Sequence, residues 1–230
     1  MQQSRSPGIE WRGGGIILHE NQLWVNQPLP YAYDALEPYI DEQTMCLHHD
    51  QHLQAYVDHL NEALAPYPKF QCLSLERLIC MAGRLPPKVG IPIARNAGGV
   101  YNHRFYFDGM TPEGPDQPDG ALAQAMDRRF GSFAAFQEAF AAAAEGVFGS
   151  GYGWLAADRR GQLRILTTAN QATPLTAGLC PILNVDVWEH AYYLKHYNKR
   201  GDYLSDWWNV VNWPAAEARY AACLRCNSGR

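Results

Sequence analysis

Between Asp41 and Leu64 the chain runs DEQTMCLHHDQHLQAYVDHLNEAL, free of proline and glycine, with apolar residues returning every three to four positions. That period predicts an amphipathic helix, and Asp41 stands where an N-cap carboxylate accepts the first unpaired amides. A second helix is predicted from Leu73 to Leu85, stopped by Pro86-Pro87, and a third from Ala94 to Phe107. The stretch TPEGPDQPDG at 111–120 combines prolines, acids and glycines and reads as a linker. Beyond it the pattern predicts helices at Ala121–Arg129 and Ser132–Glu145. Three apolar runs of strand length follow, Tyr152–Ala157, Leu163–Thr168 and Pro181–Val187, the first two joined by a hairpin turn at Asp158–Gly161. Helices are expected again at Glu189–Asn198 and Pro214–Leu224. The order predicts an α+β fold: an N-terminal helical hairpin domain, then an α/β domain with a three-stranded antiparallel sheet flanked by helices.

Composition narrows the class. A chain of 230 residues with 47% hydrophobic content buries a core for one large domain or two modest ones. Its net charge of −4 gives no overall footprint for nucleic acid or an anionic membrane, so an anionic substrate would need a local positive field. No run approaches the roughly 20 apolar residues of a membrane span, and the apolar run Ile16–Leu18 is too short for a signal-peptide core. The expectation is a soluble cytoplasmic protein. Six scattered cysteines, at 46, 72, 80, 180, 223 and 226, suit reduced thiols, and Cys223-x-x-Cys226 lacks the second pair or histidine that would make a zinc site. The segment IILHENQLWV at 16–25 reads either as two short strands around a turn or as a flexible arm.

Candidate chemistry centres on histidine. On the first helix His48, His52 and Tyr56 recur every four residues and share a face, but His49, Leu53, Tyr56 and Leu60 form a competing stripe, so periodicity leaves open which of His48 and His49 points inward. His103 follows Gly98-Gly99, a pair that costs about 1 kcal/mol per residue inside a helix and calls for compensating close packing. Asp186 ends the last apolar run and His190 lies four residues on. That carboxylate is either paired with a metal or caps the next helix. Three imidazoles and one carboxylate suit manganese, iron or zinc rather than calcium or magnesium.

In order along the chain stand LPYAYDALEPYID at 29–41, TMCLHHDQHLQAYV at 44–57, NAGGVYNHRF at 96–105 and FGSGYGWL at 148–155. They are followed by TANQATPL at 168–175, DVWEHAYYLKHYNKRGDY at 186–203 and WNVVNW at 208–213. Together they resemble the iron/manganese superoxide dismutase family over about residues 28–222. The resemblance implies an N-terminal extension at 1–27, a helical hairpin domain at 28–112 and a C-terminal domain at 113–230. It implies one manganese or iron ion, manganese favoured, held by His48, His103, Asp186 and His190. Tyr56 is then a gateway phenol and Gln171 the glutamine that manganese-type members place beside the ion, with Gly99 where iron-type members carry theirs. His52, Trp154, Trp188 and Tyr193 surround the site, and Arg200 steers the anion at the channel mouth. Glu189 reaches the partner's His190 in a homodimer, with a tetramer as the alternative assembly. Leu53, Phe107 and Tyr152 depart from the family pattern, replacing a histidine and two tryptophans.

The activity so implied is disproportionation of superoxide to oxygen and hydrogen peroxide. Two rivals are a non-haem iron oxygenase, which needs open coordination positions and a deep organic pocket, and a metal-free interaction protein, against which the four intact ligand types argue.

Overall fold

The computed structural model describes residues 23–228, with side chains described to Arg225. Most of the 16–25 segment and the side chain of Cys226 therefore lie outside the described residues. The described end of that segment has no strand; the backbone N–H and carbonyl of Trp24 are held at 2.8 Å by the Asn61 side chain.

The first predicted helix forms in three consecutive pieces, α1 (Glu42–Leu47), a π-helical segment (His48–Leu53) and α2 (Gln54–Leu64). Asp41 caps it, accepting from the Thr44 amide at 2.8 Å and the Thr44 hydroxyl at 2.6 Å. Both adjacent histidines, at the start of the π-helical segment, are buried. After α3 (Pro68–Gln71), Ser74 caps α4 (Leu75–Ala82). Helix α5 (Pro87–Phe107) starts two turns earlier than expected. Pro87 is suited to a first helical turn, and Pro92 lies exposed near the start, where the carbonyl it leaves unpaired can meet water.

Irregular chain over 111–119 leads to α6 (Gly120–Phe130) and α7 (Phe133–Glu145). Strands β1 (Gly151–Ala157), β2 (Leu163–Ala169) and β3 (Cys180–Asp186) form an antiparallel sheet in the order β2-β1-β3. Central β1 is buried throughout, and its Tyr152 pairs with Asp186. Alternation along β1 sends Trp154 toward Phe105 of α5, while Gly153 packs against Ala144 of α7.

The predicted single helix at 189–198 is instead broken into a 3-10 turn (Glu189–Ala191) and α8 (Tyr193–His196), ended by Tyr197 at φ 52°. A helix the pattern did not predict, α9 (Arg200–Trp207), follows, and α10 (Trp213–Ser228) closes the chain.

The thiol expectation is overturned for two cysteines. Cys180 at the start of β3 and Cys223 on α10 form a disulfide with a Cα–Cα separation of 6.0 Å, while Cys46, Cys72 and Cys80 are free. The two bridged cysteines are 43 residues apart, a spacing that carries no signal until α10 folds back against β3.

Candidate metal centre

His48 opens the π-helical segment and His103 sits near the end of α5, so the two arms of the helical hairpin each present one imidazole. Asp186 ends β3 and His190 lies on the 3-10 turn after it. One ligand atom from each of these four residues falls within 4.8 Å of all the others. Ligand atoms bound at about 2.1 Å stand at most about 4.2 Å apart, so a slight inward adjustment accommodates one ion.

Each group is turned so that one atom is left for the centre. His103 Nδ1 donates to the Gly99 carbonyl at 2.7 Å, which leaves its Nε2 with a lone pair. Asp186 Oδ1 accepts from the Trp188 amide at 2.8 Å, while Oδ2 lies 3.3 Å from His48 Nε2 and 3.6 Å from His190 Nε2. The turn-capping and metal readings of Asp186 thus each take one oxygen. Among the described residues, Asp186 Oδ2 and the Nε2 atoms of His48, His103 and His190 are buried without a hydrogen-bond partner. Four convergent buried polar atoms without a well-formed hydrogen bond are costly unless a cation satisfies them. Burial holds the His48 and His103 imidazoliums down to about 3 and about 4, so both rings are neutral at pH 7. Burial would raise Asp186, but contact with His190 and His48 outweighs it and keeps the carboxyl below its ordinary range.

The surroundings explain the glycine pair. A Cβ on Gly98 would lie 2.3 Å from the Gln171 carbonyl oxygen, and one on Gly99 would lie 2.3 Å from the Tyr56 ring. The missing side chains let Gln171 and Tyr56 approach α5 beside His103. Asn102 Nδ2 donates to Gln171 Oε1 at 3.1 Å, and Gln171 Nε2 donates to the Tyr56 hydroxyl at 3.1 Å. Nothing in the sequence singles out Asn102, whose partner is 69 residues away. The His190 ring stacks with those of His52 and Trp188, at centroid separations of 4.1 and 5.4 Å. Phe107 lies edge-on to His48, and Trp154, fully buried, donates to the Thr168 hydroxyl at 2.9 Å. Tyr152 is fully buried, its hydroxyl facing Gln171 and Asp186 with no hydrogen bond of ordinary geometry among the described residues.

Three sequence candidates stand apart. Glu189 and Tyr193 are exposed on this single chain. Arg200 spends its donors on the carbonyls of Glu145, Val147 and Gly149 and on the Tyr192 hydroxyl, fastening the 145–149 loop. His49, the rival of His48, bonds instead to the Gln27 carbonyl at 2.8 Å and to Asp50 at 2.6 Å.

Residues 24–111 match the alpha-hairpin domain of iron/manganese superoxide dismutases, and residues 118–219 match their C-terminal domain. The chain belongs to the iron/manganese superoxide dismutase family. It is 50% identical over 200 residues to superoxide dismutase (Mn) 1 of Leptolyngbya boryana, covering 86% of this chain and 81% of that protein. It is 47% identical over 192 residues to superoxide dismutase (Mn) of Thermus aquaticus, covering 84% and 94%. The Pseudomonas aeruginosa superoxide dismutase (Mn) is 46% identical over 197 residues, covering 86% and 97%. The family's helical hairpin and sheet-bearing domains are thus both present, and the two pairs of convergent residues come one from each.

Proposed function

We propose that this chain is a superoxide dismutase that converts superoxide to oxygen and hydrogen peroxide at one manganese ion, with iron as the alternative metal. The observation that carries this reading is the set of four buried, unpartnered ligand atoms on His48, His103, Asp186 and His190, in a chain of this family. Gln171 supplied from the C-terminal half, and relatives named for manganese, support that metal. Zinc fits the donors but has no redox chemistry.

A bound manganese or iron ion supplies one-electron chemistry between its divalent and trivalent states. The chain's part is to hold that ion and to manage protons. Neutral imidazoles bring no charge and Asp186 brings one negative charge, so a change in ion charge is offset by a single proton at the centre. Asn102 orients Gln171, and Gln171 donates to the Tyr56 oxygen, which leaves the phenolic proton of half-buried Tyr56 available to the cavity. His52 and Trp188 support His190 through ring packing, and Trp154 packs behind Tyr152, whose ring meets His103. Arg200 commits four of its five N–H donors to protein oxygens, so it steers an anion chiefly through its field.

We assign the chain to a homodimer, with a tetramer as the alternative. Exposed Phe148, Tyr193, Leu194 and Tyr197 support an apolar face for a second copy, since Arg200 ties the 147–149 loop to Tyr192. Glu189 would then reach the partner's His190. The division at 112/113, after an extension at 1–27, is supported by the irregular chain at 111–119 and the two matched ranges. No helix among the described residues is long and apolar enough to cross a membrane. The cytoplasmic placement expected from the sequence has the disulfide against it, because such bridges persist in oxidising surroundings. Alkylating free thiols at lysis and counting blocked cysteines decides between these.

Elemental analysis with a superoxide-scavenging assay tests the main reading. The purified chain should carry manganese or iron and be active; a preparation inactive after reconstitution with either metal would refute it. His190→Ala should lose the ion, and normal occupancy in that variant would reject the ligand set.

A further inference from the structure

At the far end of the sheet from Asp186, the β1–β2 turn meets α6 and α10 around a cavity of about 410 Å³. Its lining includes Arg128, Arg129, Arg160, Gln162 and Tyr220, and no carboxylate. In a chain of net charge −4 this is a local reversal of sign.

The nearby acids are committed elsewhere. Asp158 Oδ1 accepts the Arg160 and Gln162 amides at 2.8 and 3.1 Å, and its Oδ2 takes Arg164 at 3.1 Å. Glu217 accepts the Ala121 and Leu122 amides at 3.1 and 2.8 Å, capping α6. Asp127, exposed on α6, makes no ion pair with the three lining arginines among the described residues. Among the described residues Arg129 uses its Nε on the Leu163 carbonyl at 3.2 Å, and Arg128 lies beside the Tyr220 hydroxyl. None of the three guanidiniums makes an ion pair among the described residues.

The Tyr220 side of the cavity is held in place behind the three exposed arginines. Tyr220 donates to the Gly161 carbonyl at 2.9 Å, and the disulfide holds α10, which carries Tyr220, against β3. A preorganised wall lowers the ordering cost of binding. Planar guanidinium forks match the oxygens of a phosphate dianion and bind it more strongly than neutral donors do.

We propose that this cavity binds a phosphate group, either as the free anion or as a small phosphate monoester. It lies about 17 Å along the sheet from the metal centre, five residues of strand from Tyr152 to Ala157, so an occupant leaves that centre open.

Titration calorimetry on the metal-loaded full chain, at fixed ionic strength, tests this with inorganic phosphate, glycerol phosphate, a short DNA duplex and a chloride blank. Saturable binding of phosphate or ester is expected, the tighter of the two identifying the source. R128Q/R160Q should weaken it at least about ten-fold with dismutase activity and melting temperature unchanged, and R128K/R160K should recover only part. No saturable binding of either anion, equal affinity in R128Q/R160Q, or binding confined to the duplex would each overturn the proposal. None of these outcomes bears on dismutation.

Discussion

The two halves of the metal centre are built differently. His48 and His103 are fully buried on helices packed against each other, and Gly99 lets Tyr56 of one arm lie against the backbone of the other. Asp186 and His190 come from a strand end and a short 3-10 turn; the His190 side chain is 13% exposed and leans on rings rather than on a helix core. In the proposed site the helical pair would set the position of the ion. The strand-and-turn pair would supply the charge from fully buried Asp186, while its His190 is partly exposed and lies next to the exposed apolar residues we assign to subunit contact.

The largest effect should follow from striking that charge. Asp186→Asn keeps the shape and the Trp188 turn but removes the only negative ligand, and metal affinity should fall by about 10⁴-fold in a chelator competition titration. A loss near ten-fold would mean that the helical pair holds the ion largely alone. Next comes a test of the helical pair itself. Folded His48 and His103 titrate near 3 and 4, below their ordinary value of 6.5. Between those limits the unfolded chain binds more protons, so stability is complete above about pH 7.5 and falls as pH drops. Two histidines cost the metal-free protein about 4 kcal/mol between about pH 7.5 and 5, measurable by urea unfolding. Unfolding midpoints independent of pH in that range would contradict their buried neutral state.

A smaller effect tests the seam between the halves. Gly98→Ala drives a methyl into the Gln171 carbonyl oxygen, at a cost of about 3 kcal/mol. For a chain of this size the melting temperature should drop by about 9 °C; an unchanged melt would show that the Gln171 loop can yield. Smallest is Tyr152→Phe, which removes a buried hydroxyl with no well-formed bond and should stabilise the metal-free chain by about 1 kcal/mol. Destabilisation instead would place a real hydrogen bond on Gln171 or Asp186.

The helical pair was the more legible half. An uninterrupted apolar period and a capping Asp41 marked the first helix, and Gly98-Gly99 announced a close approach that the structure shows. Period could not choose between His48 and His49, because both are buried and only their partners separate them. The strand-and-turn half was harder to read beyond Asp186. Breaks at Tyr192 and Tyr197 depend on backbone angles that no residue type there demands, and α9 hides behind Gly201. The resemblance makes Arg200 an anion-steering charge at the channel mouth, whereas the carbonyls that hold its guanidinium lie 51 to 55 residues away in sequence.

The bridge between Cys180 and Cys223 encloses Asp186, His190 and Arg200 in one covalent ring. A protease that nicks the exposed chain around Asn198 would therefore make two pieces that cannot part. On a gel such a molecule runs whole until reductant is added; all four proposed ligands stay on the first piece, and the bridge keeps α9 and α10 tethered to it.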